Sequence, residues 1–502
     1  MKKMKKSILT LILSAVALAF SDFALAQNGV QQISITPVPM ECKLSVCDYV
    51  PLTQITISTD DKAAIEWANK HLVLWYKKFA PKVSQKPYAG NFAHDSAYSI
   101  NINRKGVEIC AKNIVGVRYA LYSLRQIAIA NRNTKEVEHY IVPIGSINDY
   151  PAMDFRGMHI CWFPETEEYE IERMIRMAAY YKFNYVVLEP WGTYQSKVAP
   201  WLNWKNPPMT KRVIKRLVAM ANDLGVTLIP QMNIFGHASY SRSMSGKHST
   251  LDLRPQYQPL FEPSAGWNWC LSNPEAKKVI ADYMVELLED FGNPKFFHIG
   301  CDEAHKPSCP ECASQPYSKL FIEHLEFAHK VLAEHGARPM MWQDMLLKKG
   351  DKRWKGYKAN GTTATAKAAE SLPKDIVICD WYYGNAKENY PSYSYFQSLG
   401  YDVLATPWDN VSGILAEAKA IQKINAFGML GTVWNHYYAK SLATIYTNTS
   451  HSAWNPAANK YQKQGFSMFK THLRQVSWDM KIKKYEHFGV NLYQIPDRVI
   501  EK

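Results

Sequence analysis

Hydrophobic and polar positions along this chain change rhythm near residue 150. Before that point, short apolar runs such as Gln54–Ser58 and Ala97–Asn103 read as strands. Longer stretches at Asp60–Ala80 and Gly116–Ala130 carry helical spacing. Asp149-Tyr150-Pro151 then punctuates the chain. Beyond it, apolar runs of strand length recur at Phe155–Cys161, Tyr185–Leu188, Thr227–Pro230, Phe296–Gly300, Arg338–Trp342, Ile376–Asp380, Asp402–Ala405 and Met429–Trp434. Amphipathic helical stretches lie between most of them, at Glu168–Tyr181, Lys211–Leu224, Pro274–Phe291 and Ser318–Glu334. This pattern predicts an α/β protein, a (β/α)8 TIM barrel preceded by a small α/β domain. A doubly wound open sheet gives a similar alternation, so the count of eight strands carries the choice. The segment Met232–Leu271 has few helical signals and reads as a loop over the active face.

The ends refine this division. Lys2, Lys3, Lys5 and Lys6 precede an apolar run from Ile8 to Phe20, and Ala24-Leu25-Ala26 supplies a cleavage pattern. The expected organisation is a signal peptide at 1–26, a small α/β domain at 27–150, the barrel at 151–485 and a C-terminal tail at 486–502. The leader run is too short to span a bilayer, and no later stretch approaches about twenty uninterrupted apolar residues. No cysteine follows the cleavage site to take a lipid anchor. The expectation is an exported protein, periplasmic or secreted, with no stable membrane insertion.

The net charge of +14 stays strongly positive after the leader lysines are removed. The excess is scattered and forms no Lys/Arg tract, which argues for a solvated basic surface and against nucleic acid. Attraction to acidic glycans is the alternative reading of the charge. Nine cysteines leave at least one unpaired. Cys42 and Cys47 are spaced to close a small loop. Cys309-Pro310-Glu311-Cys312, with Cys301 and His305 upstream, suits a local disulfide, a structural zinc site or reduced thiols. No thioredoxin-like context surrounds the motif, so a redox role is not expected.

In a barrel the chemistry sits at strand C-termini. Those positions offer Glu189-Pro190-Trp191, then Asn233, Gly236 and His237, then His298-Ile299-Gly300-Cys301-Asp302-Glu303. Later strands offer Trp342 with Asp344, Asp380-Trp381-Tyr382, Trp408-Asp409 and Trp434-Asn435-His436. An Asp-Glu dipeptide usually does no more than cap a helix. At the mouth of a buried strand, two adjacent carboxylates disfavour joint ionisation. One of them should then keep a proton to donate to a leaving oxygen. Tryptophans at four strand ends would wall a pocket the size of a sugar ring.

Phe155-Arg156-Gly157, Phe235-Gly236-His237 and His298-Ile299-Gly300-Cys301-Asp302-Glu303 resemble glycoside hydrolase family 20, the β-N-acetylhexosaminidases. The likeness covers the barrel, and the stretch Gly116–Leu121 resembles that family's small N-terminal domain. The resemblance implies a substrate-assisted retaining mechanism without cofactor or catalytic metal, acting on a glycan. Glu303 would be the general acid and base, and Asp302 would orient the 2-acetamido group. Arg156 would bind ring hydroxyls, while Trp342, Trp381 and Trp434 would enclose the sugar. His237 and His298 would support the acid.

The chain also departs from the family pattern. Asn233 replaces a common Asp, Phe235 a Pro and Cys301 a Gly. Asp409 follows Trp408 where a Tyr is usual, which makes Tyr382 the candidate hydroxyl donor. His436 replaces an acid, and Glu189 would take over a hydroxyl contact. An acid lost and a His gained suit a sulfated or otherwise acidic sugar. Two alternatives remain open: a glycosidase with two ordinary carboxylates on a sugar lacking the acetamido group, with Glu189, Asp344, Asp380 or Asp409 as the second acid, and a non-catalytic glycan-binding barrel. Neither the oligomeric state nor the linkage is legible.

Overall fold

A computed structural model describes residues 35–132, 137–205, 207–239, 250–263, 265–387, 389–434, 439–458 and 465–480. The expected signal peptide, the C-terminal tail and His436 lie outside the described residues.

The first unit is a seven-stranded sheet: β1 (Glu41–Pro51), β2 (Gln54–Ser58), β3 (Lys82–Lys86), β4 (Tyr98–Asn103), β5 (Gly106–Ala111), β6 (Ile129–Arg132) and β7 (Val137–Asp149). Its order is β1-β7-β4-β5-β2-β3, with β6 pairing β7. In β4, Tyr98, Ile100 and Ile102 are buried and their neighbours are less so, the period-two pattern of a sheet with one covered face. Two helices pack on it, Lys62–Tyr76 and Ile114–Ile127. Asp61 and Asn113 cap them by accepting from first-turn amides.

These helices dock on the barrel. Trp67 Nε1 donates to Asp223 O at 2.6 Å and Tyr122 Oη to Leu224 O at 3.0 Å. Arg125 reaches both oxygens of Asp479 at 2.6 and 2.9 Å. The buried Lys182 Nζ lies 2.9 Å from Asp149 Oδ2, which also accepts from Tyr98 Oη at 2.6 Å. Each buried charge there is paired and hydrogen-bonded, as burial requires.

The second unit is the barrel: β8 (Phe155–Trp162), β9 (Tyr185–Pro190), β10 (Thr227–Pro230), β11 (Phe296–His298), β12 (Arg338–Trp342), β13 (Val377–Tyr382), β14 (Asp402–Pro407) and β15 (Gly428–Val433). All neighbours are parallel, in the order β10-β9-β8-β15-β14-β13-β12-β11. A parallel bridge Gln231↔His298 and the 3.0 Å bond from Met232 N to His298 O join the two ends and close the barrel. Phe155, Val187, Ile229, Phe296, Leu404 and Leu430 fill its interior, while a second cluster packs strands against helices. The strands are therefore buried on both faces, which is why they read as continuous apolar runs.

The segment after β10 is only partly a loop. Its described residues include the helical turns Thr250–Leu253 and Pro255–Leu260. The chain then returns beside its own start, Trp269 N donating to Phe235 O at 3.1 Å. No described helix is long and apolar enough to cross a membrane.

Candidate active site

Strand β11 is three residues long and the chain turns sharply out of it. Gly300, Cys301 and Glu303 adopt φ of 69°, 74° and 49°. Such angles are strained for side chains bearing a Cβ and persist only where the surroundings impose them. Gly300 N donates to His298 Nδ1 at 3.1 Å, and Glu303 N donates to Asp344 Oδ2 at 2.9 Å. Trp267 Nε1 donates to Glu303 O at 3.0 Å. A Cβ on Gly300 would lie 2.4 Å from Asn233 Oδ1, so glycine allows both the turn and the approach of Asn233.

This turn separates the two acids by environment. The Asp302 side chain is 12% exposed and that of Glu303 43% exposed. His237 Nε2 stands between them, 3.2 Å from Asp302 Oδ2 and 3.4 Å from Glu303 Oε2. Asn233 Nδ2 donates to Asp302 Oδ1 at 3.3 Å, while its Oδ1 accepts from Gln231 Nε2 at 3.1 Å. Asn at this position therefore gives Asp302 a donor where an Asp would add a like charge. Behind the pair, Asp344 is fully buried, and burial first, then the charge on Asp302, raises its pKa from 3.8 to about 7. Asp344 is thus a carboxyl that keeps its proton close to neutrality.

Aromatic rings wall the mouth. Trp342 and Trp381 belong to the barrel interior, and Trp434 and Tyr383 pack against it. The Trp342 ring lies 4.3 Å from that of His298 and 5.6 Å from that of Trp434. Trp434 Nε1 donates to Tyr383 Oη at 2.7 Å, and Tyr383 lies 5.0 Å from Trp381 and 5.5 Å from Trp408. On the neighbouring strand β8, His159 meets Trp434 at 4.5 Å, and its Nε2 is 3.2 Å from Glu189 Oε2. Cys161 Sγ sits 3.6 Å from the same oxygen. The groups His237–Asp302–Glu303 and His159–Cys161–Glu189 each bring potential metal-ligand atoms within 4.8 Å of one another.

The family 20 catalytic-domain profile (glycosyl hydrolase family 20, catalytic domain) matches residues 184–449. The chain belongs to glycosyl hydrolase family 20. A lacto-N-biosidase from Bifidobacterium bifidum is 27% identical over 217 residues, covering 42% of this chain and 17% of that protein. A β-hexosaminidase from Porphyromonas gingivalis is 24% identical over 291 residues, covering 50% and 36%. The chain thus spans well under half the length of these two relatives. Among solved structures, a family 20 exo-β-N-acetylglucosaminidase from Vibrio harveyi superposes with a TM-score of 0.65 at 17% identity, covering 88% of this chain and 77% of that one. A β-N-acetylhexosaminidase from Bacteroides fragilis gives 0.64 at 16%, covering 88% and 95%. At such identities these two speak to the fold.

Against this family 20 barrel, the residues singled out from the sequence divide. Asp302, Glu303, His237, His298, Trp342, Trp381, Trp408, Trp434 and Glu189 gather at the mouth through the contacts above. Arg156 does not. It opens β8 and so lies at the end of the barrel away from the mouth, and it points outward because Phe155 beside it points inward. There its guanidinium donates to Lys182 O, Met153 O and Tyr119 Oη at 3.0, 2.7 and 2.7 Å. Tyr382 also turns away, packing 5.3 Å from Tyr357 and 5.7 Å from Tyr390. The hydroxyl in the mouth belongs to Tyr383, and counting parity from Cys379 and Trp381 would have found it. Asp409 is exposed. Asp380, offered as a second acid, lies on the outward parity of β13, and burial raises it to about 7. His159 and Trp267 were not anticipated, since neither stands at a strand C-terminus.

Proposed function

We propose that this chain is an exo-acting retaining β-N-acetylhexosaminidase that releases terminal β-linked GlcNAc or GalNAc by substrate-assisted catalysis. The observation that carries the reading is the split of the adjacent acids. Asp302 is held in the wall by Asn233 and His237, while the Glu303 carboxyl reaches into the open mouth. Glu303 protonates the glycosidic oxygen as the bond to the anomeric carbon breaks. The acetamido carbonyl oxygen of the substrate forms the new bond to that carbon, and Asp302 accepts the amide N–H and balances the positive charge of the oxazolinium ion. Water then attacks the anomeric carbon, gives its proton to Glu303 and reopens the ring with retained configuration.

We assign the contact to the acetamido oxygen to Tyr383, supported by its bond from Trp434 and its ring contact with Trp381. Trp342, Trp381 and Trp434 enclose the ring. Lys358 Nζ stands 5.8 Å from the Trp381 ring centroid, which favours a sulfated or acidic sugar among the substrates. The N-terminal leader pattern supports an exported enzyme.

The test uses aryl β-N-acetylglucosaminide, β-N-acetylgalactosaminide, a 6-sulfated N-acetylglucosaminide and the plain glucoside and galactoside, with and without a thiazoline mimic of the oxazoline. Cleavage of the acetamido substrates alone, blocked by the thiazoline, is expected. Cleavage of only the plain glycosides, indifferent to thiazoline, would sink the substrate-assisted reading. No cleavage of any would favour a glycan-binding barrel. Glu303→Gln should lower kcat about 10²–10⁴-fold on poor leaving groups. An unchanged rate removes Glu303 as the acid.

A further inference from the structure

We infer that Cys270, Cys309 and Cys312 form a structural site for a soft divalent cation, best matched by zinc, that staples the loop after β10 to the loop after β11. The three thiols come from two segments. Cys270 ends the returning segment that carries Trp267 and Trp269, just before the helix Pro274–Asp290. Cys309 and Cys312 are the C-x-x-C that follows Glu303. Cys309 is the N-cap residue of the short helix Pro310–Ala313 and Cys312 lies within it, and both sulfurs face Cys270. All three residues are buried.

The spacing of the sulfurs favours a shared ion. Cys270 Sγ lies 3.1 Å from Cys309 Sγ and 3.8 Å from Cys312 Sγ, and all three fall within 4.8 Å of one another. A tetrahedral zinc with Zn–S bonds of about 2.3 Å needs sulfurs roughly 3.8 Å apart. A disulfide needs about 2.05 Å and would leave the third thiol buried without a role. Neither Cys301 nor His305, the residues that the sequence suggested beside the motif, joins the cluster. Cys301 Sγ donates to Ile299 O at 3.5 Å, and His305 Nε2 lies 2.9 Å from Glu262 Oε2. Cys270, 39 residues before Cys309, takes their place.

The two loops are already docked. Ser308 Oγ donates to Pro263 O at 3.0 Å, and His305 pairs with Glu262 across the same seam. A metal therefore meets a prebuilt triangle of thiols and displaces their protons into solvent, with its fourth position facing the cleft that Cys270, Ser272, Cys309 and Glu311 line. Ser272 Oγ, 3.2 Å from Cys312 Sγ, holds that sulfur in place. The site fixes the segment whose Trp267 clamps the backbone of Glu303, so it acts on the acid by positioning.

The test is metal content, which is independent of catalysis. Full-length protein made in zinc-replete medium should carry one zinc per chain by plasma mass spectrometry. After stripping and reloading with Co²⁺, it should show thiolate-to-cobalt charge-transfer absorption and tetrahedral d–d bands. Chelation should lower Tm. Cys312→Ser should lose the metal and the cobalt bands, whereas Cys110→Ser, away from the cluster, should keep both. Metal-free protein with a mass lower by two hydrogens and a Cys270–Cys309 crosslink in the peptide map would overturn the inference. So would nine titratable thiols with no cobalt bands in the wild-type protein, a measurement that stands even if the variants fail to fold.

Discussion

Asp344→Asn separates electrostatics from packing behind the acid pair. The Asp344 carboxyl is buried, with Oδ2 accepting from Glu303 N at 2.9 Å and Asn360 Nδ2 at 2.8 Å and Oδ1 facing Trp381 Nε1 at 3.4 Å. Burial, and then Asp302, raise its pKa from 3.8 to about 7. Between those values the native state holds a proton that the unfolded chain has released. Stability from this group is complete below the unfolded pKa and is lost as pH rises through the native one. At about 1.4 kcal/mol per tenfold change in proton affinity, the ionised form costs on the order of 4 kcal/mol. Asparagine keeps an acceptor for Glu303 N and Asn360, but turns its NH2 toward the Trp381 donor, at a cost of about 1–3 kcal/mol. Between about pH 5 and about pH 8.5 the wild type therefore loses roughly 3 kcal/mol that the variant does not, so the variant should be close to wild type in stability near about pH 5 and more stable near about pH 8.5. Urea unfolding followed by tryptophan fluorescence at both pH values measures the difference. Asp380, raised to about 7 by burial first and also by the charge on Asp344, ionises more easily in the variant, which adds to its gain at high pH. A destabilisation of the same size at both pH values would refute the reasoning.

Two further substitutions test the corrected positions. Arg156→Ala removes a buried cation that satisfies four acceptors where the two units meet, and should destabilise the fold by about 3–5 kcal/mol while leaving KM unchanged, since each buried acceptor left unsatisfied costs about 1–3 kcal/mol; a tenfold rise in KM at unchanged Tm would return Arg156 to the substrate. Tyr383→Phe should lower kcat/KM on acetamido substrates by roughly 2 kcal/mol, about thirtyfold, with Tyr382→Phe nearly silent. A larger effect at Tyr382 would reverse the assignment.

What the sequence determined by itself is a matter of period and adjacency. Eight apolar runs separated by helical stretches define the barrel, because buried parallel strands need apolar residues on both faces and a crossover between each pair. Asp302 and Glu303 were legible for the same reason, since adjacency after a buried strand is a one-dimensional fact. The tertiary structure decided which way each side chain points and which end of a strand it occupies. Arg156 and Tyr382 stand one residue from an inward position, and a shift of one reverses the face. It also decided which distant residues share a site. Asp344 acquires its high pKa only because folding buries it beside Asp302, and Cys270 meets the C-x-x-C only because the loop after β10 folds back. Burial and loop closure are properties of the packed chain. No periodicity along the sequence encodes them.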